Sequence, residues 1–349
     1  GILYYSFSVF LTSFENDLNA SRAAVTGAFS VALLCSGVIA VPVGRWIDQR
    51  GARGMMTLGS ILATLFFFAL ASVQNVPMLY LLWAGIGITM AMTLYEPAFA
   101  VIAVWFVQKR TNALALITFV AGLASTIFLP LSEWLRQEYG WRTAIVILAV
   151  LLGTTTIPLH AFVLRRRPSD LGLMPDGATE ALVKGTPKRP TEQSRTLHAA
   201  LRDRSFWWMI VAFVLTTFST IAITVHLIPY LLTRGIDATT AAQVTGLIGI
   251  MQVVGRVIFA PVDGKVARYL LTALIFALQA VAVLLLLLPD FLAVLLFVTL
   301  FGATAGAATL ARPALIGEHY GSKAFGQISG FVATCLTGAR ALAPVAAAA

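Results

Sequence analysis

The chain has 349 residues, of which 59% are hydrophobic and only 11% charged; its mean hydropathy is +0.87 and its formal net charge is +9. Soluble domains are about 25% charged, so this composition excludes an ordinary soluble domain and predicts an all-α polytopic membrane protein. The two cysteines, Cys35 and Cys335, lie in apolar segments without a CxxC motif or a Cys/His cluster. We therefore expect no disulfide, no metal site and no cofactor.

Eleven apolar segments are predicted to be membrane-spanning helices, here called spans one to eleven. They cover about residues 1–14, 24–44, 54–73, 78–104, 112–131, 143–164, 206–232, 239–261, 269–288, 291–313 and 325–346. Span one is too short to cross, because 14 helical residues rise about 21 Å against a hydrocarbon core of about 30 Å. We therefore expect a fragment of a longer protein, with a partial first helix and without a twelfth.

A polar, proline-containing segment at 165–205 separates the first six spans from the last five. It divides the sequence into an N-terminal helix bundle at 1–164, a linker at 165–205 and a C-terminal helix bundle at 206–349. The end of the linker, at 194–204, combines two leucines four residues apart with several arginines, which predicts an amphipathic helix on the membrane surface.

The distribution of basic residues predicts the orientation of the spans. Seventeen of the 24 Lys and Arg residues fall in one set of alternate loops that includes the linker, and four fall in the opposite set. By the positive-inside rule the richer side is cytoplasmic. The positive charge is thus mainly a topology signal, and we expect no nucleic-acid partner. We expect the membrane to be the bacterial inner membrane.

A short basic loop joins spans two and three. It contains Gly44, Arg45, Asp48, Gly51 and Arg53 in the pattern G-x-x-x-D-x-x-G-x-R. The chain reverses direction here, and glycine tolerates positive φ. We expect Asp48 to lie near the N-terminus of span eleven, where the helix dipole favours a carboxylate. The simpler interpretation is a topological turn with solvated charges.

This loop resembles the loop between helices two and three of the major facilitator superfamily of secondary transporters. The resemblance implies a fold of two pseudo-symmetric six-helix bundles, here truncated at both ends. It also implies that the loop helps to latch the two halves together on the cytoplasmic side.

Matching residues on either side of the linker suggest an internal repeat, as transporter folds often contain. Glu96-Pro97-Ala98 in span four corresponds to Arg312-Pro313-Ala314 in span ten, and Arg268 follows Asp263 by five residues as Arg53 follows Asp48. We expect these charged residues to form clusters that close a cytoplasmic gate, with Arg312 near Asp263.

Glu96 itself has two interpretations. As a gate residue it would lie toward Arg45 or Arg53. As a proton carrier it would depend on burial, which raises the pKa of a carboxyl group. We favour the gate, because Glu96 lies near the membrane surface.

Ionisable residues inside spans are candidates for function because burying them in a membrane is costly. Arg256 and Arg340 carry planar guanidinium groups that match a carboxylate. Arg256 lies about 10 Å from the cytoplasmic boundary, so extension of its side chain to the surface is the simpler interpretation. His226 either hydrogen-bonds an anion, carries a proton or only packs in the core.

Four further segments narrow the resemblance to the oxalate:formate antiporter and monocarboxylate porter branches. They are Gly255-Arg256, the stretch from Pro97 to Arg110, Gly140-Trp141-Arg142 and the stretch from Arg167 to Leu173. In those branches an arginine of helix eight and a basic residue of helix eleven bind the substrate carboxylate. By position, these roles fall to Arg256 and Arg340.

The chain departs from the animal-type porters at two points. Gln252 stands where those porters carry an aspartate, and the visible part of span one lacks their proton-coupling lysine. Any proton coupling therefore uses another group. Gln252, together with Tyr4 and Tyr5 of span one, completes the expected substrate-binding set.

The predicted function is secondary transport of small organic anions by alternating access, with proton symport or anion exchange. The branch resemblance implies that these anions are monocarboxylates. We expect a monomer surrounded by lipid. A drug:proton antiporter is disfavoured because the main intramembrane charges are cationic. A membrane enzyme or sensor is disfavoured because the sequence has no catalytic constellation, no phosphate-binding loop and no soluble output domain.

Overall fold

The structure is a computed structural model that describes residues 2–177, 195–262 and 266–346. Its α-helices in chain order are α1 (Ile2–Asp17), α2 (Arg22–Arg50), α3 (Ala52–Leu70), α4 (Val76–Thr93), α5 (Tyr95–Trp105), α6 (Arg110–Pro158), α7 (Leu197–Leu201), α8 (Arg204–Thr233), α9 (Ala238–Val262), α10 (Arg268–Leu285), α11 (Phe291–Tyr320) and α12 (Phe325–Ala346). A π-helical turn, Leu159–Val163, extends α6.

The helices coincide with the predicted spans to within several residues. Span four is divided at Leu94 into α4 and α5. Spans five and six are the two parts of α6, which is interrupted at Gly140, where φ is 74°. Seven helical segments among the described residues are long and apolar enough to cross a membrane, and the segment with this interruption, Arg110–Val163, supplies two of the predicted spans.

Short polar side chains start several of these helices. Ser21 accepts a hydrogen bond from the backbone of Ala24, and Asn75 accepts one from Met78. Asp203 and Asp290 do the same at the starts of α8 and α11. These caps satisfy N–H groups that a helix leaves without partners in its first turn.

The surface helix expected at 194–204 is shorter than predicted. The structure contains only the five-residue α7 there, and Asp203 then begins α8. The reason is that the Asp203 side chain caps α8 instead of continuing the preceding helix. Residues 178–194, which hold most of the predicted linker, lie outside the described residues.

The contacts divide the chain into two compact units. Unit 1 comprises Gly1–Val107, Val120–Leu197 and Ser322–Thr337, and unit 2 comprises Gln108–Phe119, His198–Gly321 and Gly338–Ala349. The division of the sequence into bundles at 1–164 and 206–349 stays a prediction.

Unit 1 is built around aromatic side chains from α1, α3 and α4. Phe10, Phe14, Phe67 and Trp83 are fully buried and pack against the second part of α6. Inside a membrane such side chains stabilise the core by close packing, because lipid is as apolar as the protein interior. Phe29 of α2 also joins this core, because its ring stacks on the ring of Phe7 with the centroids 4.6 Å apart.

Arg142 connects three helices at the end of unit 1 that is opposite the basic loops. Its guanidinium donates to the carbonyl oxygens of Ala71 (2.7 Å) and Val73 (3.2 Å), and to the Asp17 carboxylate. It also lies 4.2 Å from the ring centre of Trp141. One side chain thus joins the ends of α1, α3 and the second part of α6.

Unit 2 has its own core between α8, α9 and α11, where Phe297 and Phe301 are fully buried. Glycine allows α9 and α11 to approach closely, because a methyl group at Gly255 would overlap with the carbonyl oxygen of Ala303. In unit 1, a methyl group at Gly87 of α4 would overlap with the carbonyl oxygen of Ala32 of α2 in the same way. The corresponding helix pairs of the predicted repeat are therefore both packed through glycine.

Candidate functional site

Two regions of the structure contain the main predicted functional residues. The first is a contact within unit 1 between α2 and the start of α12, here called the α2–α12 seam. It consists of four residues of α2 (Gly37, Ala40, Gly44 and Asp48) and four of α12 (Gly326, Gly330, Thr334 and Thr337). The second is the environment of Arg256 in unit 2.

The structure places Asp48 at the N-terminus of α12. Its two carboxylate oxygens accept hydrogen bonds from the backbone N–H groups of Gly326 (2.8 Å) and Gln327 (2.9 Å). These N–H groups belong to the first turn of α12, which has no helical acceptor for them. The carboxylate therefore gains both two charge-assisted hydrogen bonds and the favourable end of the helix dipole.

The two glycines of the motif have different roles. Gly51 lies between α2 and α3 with φ of 83°, so it is the residue that reverses the chain. Gly44 was expected to serve the same turn, but it lies within α2, which continues to Arg50. A methyl group at Gly44 would overlap with the carbonyl oxygen of Gly326. Gly44 is thus required for the close approach of α12.

Small residues continue this contact toward the middle of α2. A methyl group at Gly330 would meet the carbonyl oxygen of Ala40, and the Thr334 hydroxyl donates to the carbonyl oxygen of Gly37. Close packing of this kind is a usual basis of helix association in membranes. By contrast, a methyl group placed at Gly246 or Gly249 would have no other atom within 4 Å.

Glu96 lies beside the seam. The Ser329 hydroxyl of α12 donates a hydrogen bond to its carboxylate, and Ser329 is fully buried. The gate interpretation placed Glu96 toward Arg45 or Arg53. Arg45 is exposed, and Arg53 donates to the carbonyl oxygen of Ala161 at 2.7 Å.

The second copy of the loop is only partly described. Arg268 forms an ion pair with Glu318, at 3.1 Å between Nη1 and Oε2. Arg312 is half-buried on α11. Asp263, its expected neighbour, lies outside the described residues.

Arg256 is buried within unit 2. Only 9% of its surface is exposed, and its Nη1 donates to the carbonyl oxygen of Thr118 at 2.9 Å. Its Nε–H is buried and makes no hydrogen bond to the described part of the chain. The side chain therefore contacts α6. The simpler interpretation had predicted that it extends to the membrane surface instead.

The other predicted substrate-binding residues lie on several helices. Gln252 precedes Arg256 by one turn of α9 and is half-buried, as is His226 on α8. Arg340 is exposed on α12. Tyr4 and Tyr5 of α1 contact each other edge to face, with ring centroids 5.2 Å apart.

Two residues that contact the predicted ones were missed by the sequence analysis, and so was the burial of Arg110. Thr118 accepts a hydrogen bond from Arg256, and Ser329 donates one to Glu96. No local sequence pattern marks Thr118 or Ser329. Arg110 was counted as a loop charge, yet it is only 3% exposed and its guanidinium lies against Gly317 of α11. Its position directly after Lys109 at the start of a helix gave no signal for this burial.

The chain is similar in sequence to named transporters. Monocarboxylate transporter 13 of Bos taurus is 30% identical over 290 residues, which cover 79% of this chain and 63% of that protein. The oxalate:formate antiporter of Oxalobacter formigenes is 25% identical over 281 residues, again 79% of this chain and 63% of the relative. The chain thus spans somewhat less than two thirds of the length of these relatives.

Solved structures show the same fold. The human organic anion transporter MFSD10 (TETRAN) aligns with a TM-score of 0.66 at 16% identity, over 99% of this chain and 84% of that one. FucP, a Major Facilitator Superfamily transporter in the outward conformation, aligns with a TM-score of 0.64 at 15% identity, over 99% and 88%. The sequence profile of the Major Facilitator Superfamily matches residues 1–344. The chain is therefore a multi-pass membrane protein and belongs to the Major Facilitator Superfamily.

Proposed function

We propose that this protein transports small organic anions, specifically monocarboxylates, and that Arg256 binds the substrate carboxylate. The observation that carries the proposal is the burial of the Arg256 guanidinium, which holds one backbone carbonyl and has an Nε–H without a partner among the described residues.

An arginine in this state needs an explanation beyond packing. Arginine remains charged at every physiological pH, and burying an uncompensated charge is costly. The carbonyl of Thr118 is neutral and engages a single nitrogen. A carboxylate would accept two parallel hydrogen bonds from the guanidinium and would neutralise its charge.

The relatives support the same substrate class. Two of them are named as a monocarboxylate transporter and an oxalate:formate antiporter, and both are similar to this chain over 79% of its length. We propose either proton symport or anion exchange as the coupling mechanism. His226, Gln252, Arg340, Tyr4 and Tyr5 remain proposed contributors to the site.

The α2–α12 seam supplies the proposed gate. Asp48 holds the start of α12 against α2 on the side where basic residues are concentrated. Alternating access requires one side of a transporter to open as the other closes. We propose that these two hydrogen bonds break whenever the basic side opens, so that Asp48, Gly44 and Glu96 set how readily it opens.

The test is uptake of labelled pyruvate, lactate, formate and oxalate into proteoliposomes that contain the full chain or a variant. Arg256→Gln removes the charge, and Arg256→Lys keeps it but loses the planar fork. We expect KM to rise at least about tenfold for Gln, since hydrogen bonds to charged groups contribute about 1.5–3 kcal/mol. Lys should give a smaller increase.

Arg136→Gln is the matched control, because Arg136 pairs with Glu133 near the surface. It should leave KM unchanged. Saturable uptake with the same KM in Arg256→Gln would contradict the assignment of the site. Absence of uptake for all four anions by the unmodified protein would contradict the substrate class.

Loading the vesicles with one anion distinguishes the two coupling mechanisms. Uptake that requires an internal carboxylate indicates exchange. Uptake that requires an imposed pH gradient, acidic outside, indicates proton symport.

A further inference from the structure

A groove on unit 2 is not used by the proposed transport mechanism. It has a volume of about 350 Å³ and lies between α8, α10 and the end of α11. We propose that it binds one acyl chain of an anionic phospholipid from the membrane leaflet on the basic side. This proposal is independent of the transported substrate.

The groove becomes more apolar along its length. Ser205, Tyr269 and His319 line the end of the groove at the starts of α8 and α10, here called its mouth, and Phe213 and Phe276 line it about two turns farther along those helices. The last two rings meet edge to face, with centroids 5.2 Å apart. From Ser205 to Phe213 the helix rises about 12 Å, so the groove runs along the helix axes and hence across the leaflet. That direction and polarity match a lipid chain whose headgroup stays at the mouth.

The mouth lies at the level of the headgroups. Trp207 and Trp208 follow Ser205 within the first turn of α8, and both are exposed. Tryptophan is concentrated at the boundary between hydrocarbon and water. Only 17% of the most apolar stretch of α8 and 28% of that of α10 are buried, so these two walls of the groove face lipid.

Charge around the mouth favours an anionic headgroup. Arg202 and Arg204 are exposed just before Ser205. Two carboxylates are nearby, but both are engaged: Asp203 caps α8 and accepts from the Tyr320 hydroxyl, and Glu318 pairs with Arg268. Basic residues near a membrane surface attract anionic lipids, and each contributes enough to change a binding ratio severalfold.

The experiment uses the full chain in nanodiscs of phosphatidylcholine with a minor fraction of a photoreactive lipid. The lipid carries a diazirine in one acyl chain and has either a phosphatidylglycerol or a phosphatidylcholine headgroup. After illumination, mass spectrometry locates the labelled peptides. We expect labelling of the peptides that contain 205–213 and 269–276, with phosphatidylglycerol labelling them more strongly.

Substitutions at the groove separate specific binding from general lipid contact. Ala273→Trp fills the groove from α10, and Ala212→Phe fills it from α8 should the first variant fold poorly. Both should reduce labelling about fivefold or more, and Arg204→Gln should remove about a fivefold preference for phosphatidylglycerol. Leu274→Trp is the matched control, since Leu274 is the exposed neighbour of Ala273 outside the groove.

Three results would overturn the proposal. Equal labelling by both headgroups would exclude an anionic lipid. Labelling that persists in both groove-filling variants, or spreads evenly over all helices, would exclude a defined site. Cross-links that join two copies of the chain through this groove would identify a second copy as the occupant.

Discussion

The Asp48 carboxylate accepts a hydrogen bond from the backbone N–H of Gly326 at 2.8 Å, although the two residues are 278 positions apart in the chain. The contact joins the basic end of α2 to the first turn of α12. The acceptor belongs to a recognisable loop motif, whereas the donors are backbone N–H groups that no side-chain motif marks. The gate proposed above depends on this contact.

Asp48→Asn should weaken the start of α12 and alter the transport cycle. The amide has no charge and only one acceptor oxygen for two N–H groups. We expect the free energy of unfolding in detergent to fall by about 1–3 kcal/mol, as measured by thermal denaturation. We also expect a changed maximal rate of uptake.

Asp290→Asn is the control for Asp48→Asn, because Asp290 also caps a helix, α11, but through a local hydrogen bond to Leu292. It should alter stability slightly and leave the uptake rate unchanged. Equal effects of both variants on uptake would argue against a gating role of Asp48.

Gly44→Ala should be more harmful than a turn-forming role for Gly44 would suggest. The added methyl group overlaps with the carbonyl oxygen of Gly326, so α2 and α12 must separate. Overpacking of this kind costs about 1–3 kcal/mol. Thermal denaturation should show a lower midpoint.

Gly54→Ala provides the matched comparison for Gly44→Ala. Gly54 lies in the first turns of α3, and nothing lies within 4 Å of a methyl group placed there. Since alanine favours helix over glycine, the midpoint should stay the same or rise. A similar loss of stability in both variants would contradict the close-approach explanation.

Glu96→Gln distinguishes the gate interpretation from the proton-carrier interpretation. Glutamine keeps an oxygen that accepts from Ser329 but cannot release a proton. If Glu96 belongs to the gate, the pH dependence of uptake should be unchanged. An uptake rate that no longer varies with pH in Glu96→Gln, but still varies in Ser329→Ala, would instead favour the proton carrier.

Arg142→Ala should destabilise unit 1 more than removal of a surface arginine. Arg142 holds the carbonyl oxygens of Ala71 and Val73 at the end of α3, together with Asp17. We expect a loss of about 1–3 kcal/mol in thermal denaturation, because the carbonyls lose charged donors. Arg136→Ala breaks only a pair with Glu133 and should cost less than about 1 kcal/mol. Equal losses would show that the Arg142 contacts do not stabilise the unit.

Two features of the site were predicted from the loop motif between spans two and three. Gly51 was expected to reverse the chain, and its φ is positive. Asp48 was expected at the start of span eleven, and the structure places it there. The role of Gly44 was not predictable, because it depends on a carbonyl oxygen 282 residues away in the chain. The burial of Arg110 likewise depends on Gly317, which no local pattern connects to it.

The sequence by itself determined the class of protein, the positions of the spans and the orientation inferred from basic residues. These follow from local properties, since each helix must carry about 20 apolar residues to cross a membrane. Only the tertiary structure decided three other contacts: Gly44 with Gly326, Glu96 with Ser329, and Arg256 with Thr118. The physical reason is that such pairs join residues distant in the chain, and their geometry depends on how closely helices pack.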